Sequence, residues 1–351
     1  MQAILTNEQK MMIDSVAGMS ASGVEAAMTI LKENDWPEEP DNILFDEWSS
    51  LGLKDFDSKS ETGLVDAILV VYTLAKNITP NRFTSHLAAI QVVSAAGLLP
   101  NVNFNGDMRY CLAVDEEDSE PLGPYDACLK GDKIFGKKKS VMHGREADVN
   151  VVILDNDKVA LTRPGIISSV TNFDILNPVV DITYEGSQFI EILDGAHAGL
   201  LRAIVILAAE LCGIARGAVH LAANYANIRH QFGRQIGGFQ GVAHQLADAF
   251  VAAETAWSLT LFAAWALDTN LAEAKKAIHE AKAKASEAAV FAAERALQVY
   301  GGLGMTLEAP PHIFLRRALA GSSQFGGAHW HRCKIAREVL KSRCEITSLA
   351  K

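Results

Sequence analysis

Arg229–Asp248 reads RHQFGRQIGGFQGVAHQLAD and joins two helical patterns. Before it, Ala203, Leu207, Leu211, Ile214, Val219 and Ala222 recur at helical spacing; after it, Leu246, Ala249, Phe250, Ala253 and Trp257 do the same. The stretch is therefore a helix–helix corner. Its chemistry is unusual for one, because Arg229, His230, Gln231, Arg234, Gln235 and Gln240 alternate with Phe232, Ile236 and Phe239. Planar hydrogen-bonding groups beside flat apolar surfaces suit a large anionic aromatic ligand: an arginine fork holds a phosphate through two donors, and a glutamine amide addresses a base or a ring carbonyl. On composition alone a plainer reading comes first, with Phe232 and Phe239 in the core and Arg229 a solvated charge at a helix end.

The order of residues goes further. R-x-x-F-G-x-x-I-x-x-F-Q followed by H-x-L-A-D, here Arg229, Phe232, Gly233, Ile236, Phe239, Gln240, His244, Leu246, Ala247 and Asp248, resembles a signature of the acyl-CoA dehydrogenase family. A second stretch, Gln298 to Pro310, carries Gln298, Gly301, Gly302, Gly304, Glu308 and Pro310 and resembles that family's Q-x-x-G-G-x-G-x-x-x-E-x-P element. Its glycines follow a helical pattern rather than a strand, which excludes a Rossmann loop. By themselves they let a ligand approach the backbone, or merely end a helix. The resemblance implies an α+β, mostly α fold: a helical N-terminal domain, a small antiparallel β middle domain and a C-terminal four-helix bundle. It also implies FAD, with Arg229, Gln231, Phe232, Phe239, Gln240, Gln298, Gly301 and Gly302 as cofactor-binding residues.

Size and charge agree. The chain has 351 residues, 49% of them hydrophobic, enough for a large core in two or three domains. Domains are expected at 1–105, 106–194 and 195–351. A net charge of −10 argues against general nucleic-acid binding. Lys137 to Lys139, Arg229 with Arg234, and Arg316 with Arg317 are local basic patches, each by default a solvated charge. The five cysteines are scattered with no C-x-x-C pair, so neither a disulfide framework nor a metal site is expected. MQAILTNEQKMM has neither a basic lead nor an apolar run, and Ala203 to Ala226 is interrupted by Glu210, Arg216 and Asn224. A cytoplasmic protein without a membrane span follows. The mean hydropathy of +0.10 is high and hints at extensive subunit contact.

Along the chain, Thr6 with Gln9 reads as a capping box for the first helix, and Ser20 to Thr29 continue a helical pattern. WPEEPD at Trp36–Asp41 is a break. DEWSSLGL, Asp46 to Leu53, resembles the family's N-terminal W-x-x-L-x-x-L-G-L element but is trimmed. Helical runs follow at Gly63–Ala75 and Thr84–Leu98. From Met108 to Glu191, short β-branched runs separated by turn residues read as strands. Gly131–Asp148 resembles a family strand pair; without the resemblance it is a hairpin with lysines on its outer edge. Helices are expected at Gly195–Ile228, Val242–Thr269, Ala272–Tyr300 and His329–Thr347. The face Ala274, Ala277, Ala281, Ala285, Ala288, Ala292 allows close helix approach.

Acyl-CoA dehydrogenases remove an α-proton from a CoA thioester with a glutamate while the β-hydride goes to flavin, so a carboxylate base is required. The resemblance puts that glutamate before the last helix, at Phe325 or Ala320, or in the first C-terminal helix, at Ala203. None is acidic. Glu210 is an alternative base or a structural partner for an arginine. The family's ring-holding T-E-P-x-A-G-S-D loop is replaced after Tyr110-Cys111-Leu112 by Ala113 and the acidic run Asp115 to Asp118, a poor surface for an anionic ligand. The resemblance thus implies a subunit of a heteromeric FAD-dependent acyl-CoA dehydrogenase, acting on a CoA thioester such as a steroid side chain. Its partner is a homologous subunit carrying the catalytic glutamate. A homomeric enzyme using Glu210 and a flavin-free scaffold are the alternatives. His329 and His331, two apart, point to different helix faces and read as interface or surface residues.

Overall fold

The computed structural model describes residues 5–33, 63–97, 108–174 and 176–349, with side chains to 340. The Trp36–Asp41 break and DEWSSLGL lie outside the described residues.

Thr6 opens α1 (Asn7–Met19) with the reciprocal capping box its sequence predicts. The helical pattern after Ser20 is a separate helix, α2 (Gly23–Glu33), since Ser20 caps α1. α3 (Leu64–Lys76) and α4 (Phe83–Ala96) follow within a residue or two of their predicted runs.

The middle of the chain forms seven strands: β1 (Tyr110–Ala113), β2 (Cys128–Lys130), β3 (Lys133–Met142), β4 (Val149–Ile153), β5 (Lys158–Thr162), β6 (Ile166–Ser169) and β7 (Val179–Asp194). They pair in the order β1-β4-β5-β7-β3-β2, with β6 also on β7. The sheet is mixed rather than purely antiparallel, because β1 runs parallel to β4. A parallel pair needs a long crossover, and 114–148 supplies it by carrying the β2–β3 hairpin to the far edge. β7 extends past Glu191 because Leu193 and Asp194 pair with Val159 and Lys158 of β5.

Five helices follow: α5 (Ala196–Ile228), α6 (Gln240–Asp268), α7 (Ala274–Tyr300), α8 (Pro311–Ser323) and α9 (Ala328–Leu349). Sequence periodicity predicts only four. The extra one, α8, is the 13-residue PHIFLRRALAGSS, started by Pro311 at its first position, where proline's missing N–H costs nothing. α5 is the central helix of the core. Gly213 and Gly217 lie directly on the backbone of Tyr72 and Lys76 in α3, so a side chain at either would strike main chain. α5 and α6 are both long and apolar enough to cross a membrane by composition, but 83% of the most apolar 18-residue stretch of α5 is buried within the protein and only 33% of that of α6. The predicted alanine face of α7 is buried within the chain.

Candidate functional site

The corner after α5 is more built than a loop. Arg229 ends the helix, its N–H donating to Tyr225 O at 2.9 Å. A miniature hairpin pairs His230 with Gln235 and Gln231 with Arg234. Phe232 (φ 53°) and Gly233 (φ 81°) turn it, both left-handed as a tight two-residue turn demands. A short 3-10 turn, Ile236–Gly238, then leads into α6. A phenylalanine held left-handed costs about 1–3 kcal/mol, yet Phe232 is 92% exposed and recovers none of this by burial within the chain. That corrects the plainer sequence reading of Phe232 as a core residue. Its ring meets Phe239 edge-on at 6.1 Å, and the Arg234 guanidinium lies over Phe239 at 4.0 Å. Gln231, Gln240 and Arg229 are exposed, and among the described residues their side chains have no hydrogen-bond partner.

The second element begins where α7 ends. Gly301 turns the chain with φ 63°, and a Cβ at Gly301 or Gly302 would meet nothing within 4 Å. Gln298, Gly301 and Gly302 are exposed, and Met305 and Leu307 project beside them. Tyr225 near the end of α5 stacks on Tyr300 at the end of α7, centroids 3.9 Å apart and rings 15° from parallel. The two segments singled out in the sequence therefore leave the core at the same end of the α5–α7 pair.

The interior charges bear out the reading of Glu210 as an arginine's partner and correct those of Arg317 and Lys138. Glu210 is buried and pairs with Arg317 of α8 at 2.9 Å, while Arg317 Nε lies 2.9 Å from Asp174. Burial pushes the Glu210 carboxyl up, Arg317 opposes this, and Asp174 adds to it. Arg317, read as a solvated surface charge, is thus the partner of a buried carboxylate. Lys138 is fully buried rather than on an outer edge, with Glu116 Oε1 at 2.6 Å. The Glu116 carboxylate also accepts from the backbone N–H of Asp126 and Ala127. The first half of the acidic run is turned inward, Glu116 onto Lys138 and Asp115 toward Lys138 and Lys282, while Glu117 and Asp118 stay exposed.

Lys282, which periodicity gave no reason to notice, is buried on α7 and donates to Ser286 Oγ, Ser322 O and Gly326 O at 3.0–3.2 Å. Burial lowers it to about 7. His331 is not at the surface: it is fully buried, with its Nδ1 2.8 Å from His279 Nδ1 and its Nε2 donating to Phe325 O. Phe325 is left-handed (φ 51°) and buried, Ala203 is buried in α5, and Ala320 lies in α8. A cavity of about 550 Å³ opens between Leu122–Tyr125, the β4–β5 turn and the start of α5 at His197. Among the described residues no three His, Cys, Asp or Glu side chains converge as metal ligands.

Residues 196–340 match the profile of the acyl-CoA dehydrogenase C-terminal domain. A short-chain specific acyl-CoA dehydrogenase of Clostridium acetobutylicum is 36% identical over 291 residues, 74% of this chain and 72% of that one. The chain belongs to the acyl-CoA dehydrogenase family. An acryloyl-CoA reductase (NADH) of Anaerotignum propionicum is 35% identical over 160 residues, 45% of this chain but only 39% of the relative's length. Among solved structures, the ChsE4-ChsE5 complex of Mycobacterium tuberculosis (TM-score 0.83, 22% identity, 97% of this chain and 99% of that one) has the same fold. So does the Tcur3481-Tcur3483 steroid ACAD (TM-score 0.85, 22% identity, 96% and 99%). FAD is the cofactor of this acyl-CoA dehydrogenase family. The corner and the glycine turn leave room for a flat anionic group, with Phe232 exposed and the backbone open at Gly301 and Gly302.

Proposed function

We propose that this chain is one subunit of a heteromeric FAD-dependent acyl-CoA dehydrogenase that introduces an α,β double bond into a CoA thioester. Its partner is a homologous subunit carrying the catalytic glutamate. The observation that carries this reading is Phe232, which bears backbone strain without burial in its own chain and so gains its compensation only from something that covers it.

When bound, the flavin supplies the hydride acceptor. Arg229 and Arg234 offer forked donors to a pyrophosphate, Gln231, Gln240 and Gln298 offer amides to base and ribose edges, and Phe232 and Phe239 cover a flat ring. Gly301 and Gly302 let the backbone come close. A base at Glu210 is disfavoured by its ion pair with Arg317, and the candidate positions Ala203, Ala320 and Phe325 offer no carboxylate. The exposed flank of α6 supports a large subunit contact. Likeness to a structure described as a steroid ACAD supports a bulky, steroid-like thioester.

Expressed alone, the chain is expected to be colourless or insoluble; co-expressed, it is expected to co-purify with a longer homologue that has the glutamate, and the pair to bind flavin. Stoichiometric flavin and turnover by the purified chain alone contradict the reading. Unchanged flavin content in the Arg229→Ala, Gln298→Ala complex supports a scaffold instead.

A further inference from the structure

The Tyr225–Tyr300 stack joins the roots of two elements that are far apart in sequence. Tyr225 sits one turn before the corner, and its carbonyl accepts the last helical bond, from Arg229 N–H. Tyr300 is the last residue of α7, and the glycine turn folds back over its stem: a Cβ at Gly304 would lie 3.0 Å from Tyr300 Cβ. Behind the corner, a Cβ at Gly237 would lie 3.1 Å from Ala226 O, and Ile236 N–H donates to Arg229 O at 2.9 Å. Each element is thus stiff within itself. Beyond the rings, Gln298, Gly301 and Gly302 on one side and Arg229, Gln231 and Phe232 on the other are exposed. The Tyr300 hydroxyl is pushed up by burial and by Tyr225, as expected of rings held together.

We propose that Tyr225 and Tyr300 are positioning residues that set the spacing between the corner and the glycine turn, so that both close on one dinucleotide at once. This rests on the function proposed above. A ligand held by two separately anchored elements gains from both only if their separation matches it. A parallel aromatic pair at the base fixes that separation without touching the ligand.

The test uses the complex of this chain with its co-purified partner. The dissociation constant for FAD is measured by flavin fluorescence, and the melting temperature is measured alongside it. Tyr300→Phe, which keeps the ring, is expected to bind FAD within about twofold of wild type. Tyr300→Leu and Tyr225→Leu, which keep apolar bulk, are each expected to weaken FAD about tenfold with little change in melting. The double variant is expected to be no weaker than either single one, since both remove the same contact. If Arg229→Ala weakens FAD while the leucine variants do not, or if their effects add, the positioning role is wrong and the function stands. Unchanged affinity in Arg229→Ala overturns the function and this inference with it.

Discussion

Arg317 of α8 and Glu210 of α5 form an ion pair of 2.9 Å inside the protein, with Asp174 on the other side of the guanidinium. This pins α8 and the loop before β7 to the central helix. Removing one partner leaves an uncompensated buried charge. Glu210→Ala or Arg317→Met is expected to cost about 3–5 kcal/mol in chemical denaturation. Glu210→Gln is expected to leave turnover of the complex unchanged once its stability is allowed for; loss of turnover with flavin retained would revive Glu210 as a base.

Lys138 and Lys282 are held by burial at about 8 and about 7, below the usual lysine range. Between those values and about 10.5, the folded chain binds fewer protons than the unfolded one, so stability rises with pH by up to about 1.4 kcal/mol per unit for each lysine. Denaturation at pH 7, 8.5 and 10 reads the slope. Lys282→Met is expected to flatten it, and an unchanged slope in that variant rules Lys282 out as its source.

His279 and His331 are lowered to about 4 and about 3, chiefly by burial. Both folded values lie below the unfolded one, so the stability these rings contribute is present above about pH 6.5 and is lost as pH falls toward 4. Because His331 Nε2 already donates to Phe325 O, protonating His331 sets N–H against N–H across the 2.8 Å contact with His279. Trp330 lies edge-on to both rings and reports the event. Its fluorescence is expected to shift as pH falls from about 5 through 3 in the wild type, and to shift less in His279→Phe.

Phe232 trades stability for an exposed ring. Asparagine tolerates the left-handed conformation, and little burial is lost. Phe232→Asn is therefore expected to raise the stability of the chain by about 1 kcal/mol while lowering the flavin retained by the complex. A variant that melts lower, or that keeps full flavin, contradicts one half of this.

The exposed elements of the candidate site were legible because their signals are local. Arg229 to Gln240 and Gln298 to Pro310 carry residue order and glycine placement within a few residues, and the long helices carry periodicity over many turns. α8 was missed, since its 13 residues offer only a short pattern after a proline pair. The parallel β1–β4 pair was missed as well, because strand direction depends on where a crossover ends and not on the strand's own residues.

By itself the sequence determined the long helices, the strand runs and the chemistry of the two exposed turns, because hydrophobic period and turn residues are signals of the local chain. Only the tertiary structure decided which charges go inside. Lys138 meets Glu116, Lys282 meets Gly326 O and Arg317 meets Glu210 across separations of 22, 44 and 107 residues. A buried charge is tolerable only with such a partner. The same holds for the Tyr225–Tyr300 contact, which brings the two turns to one end of the fold.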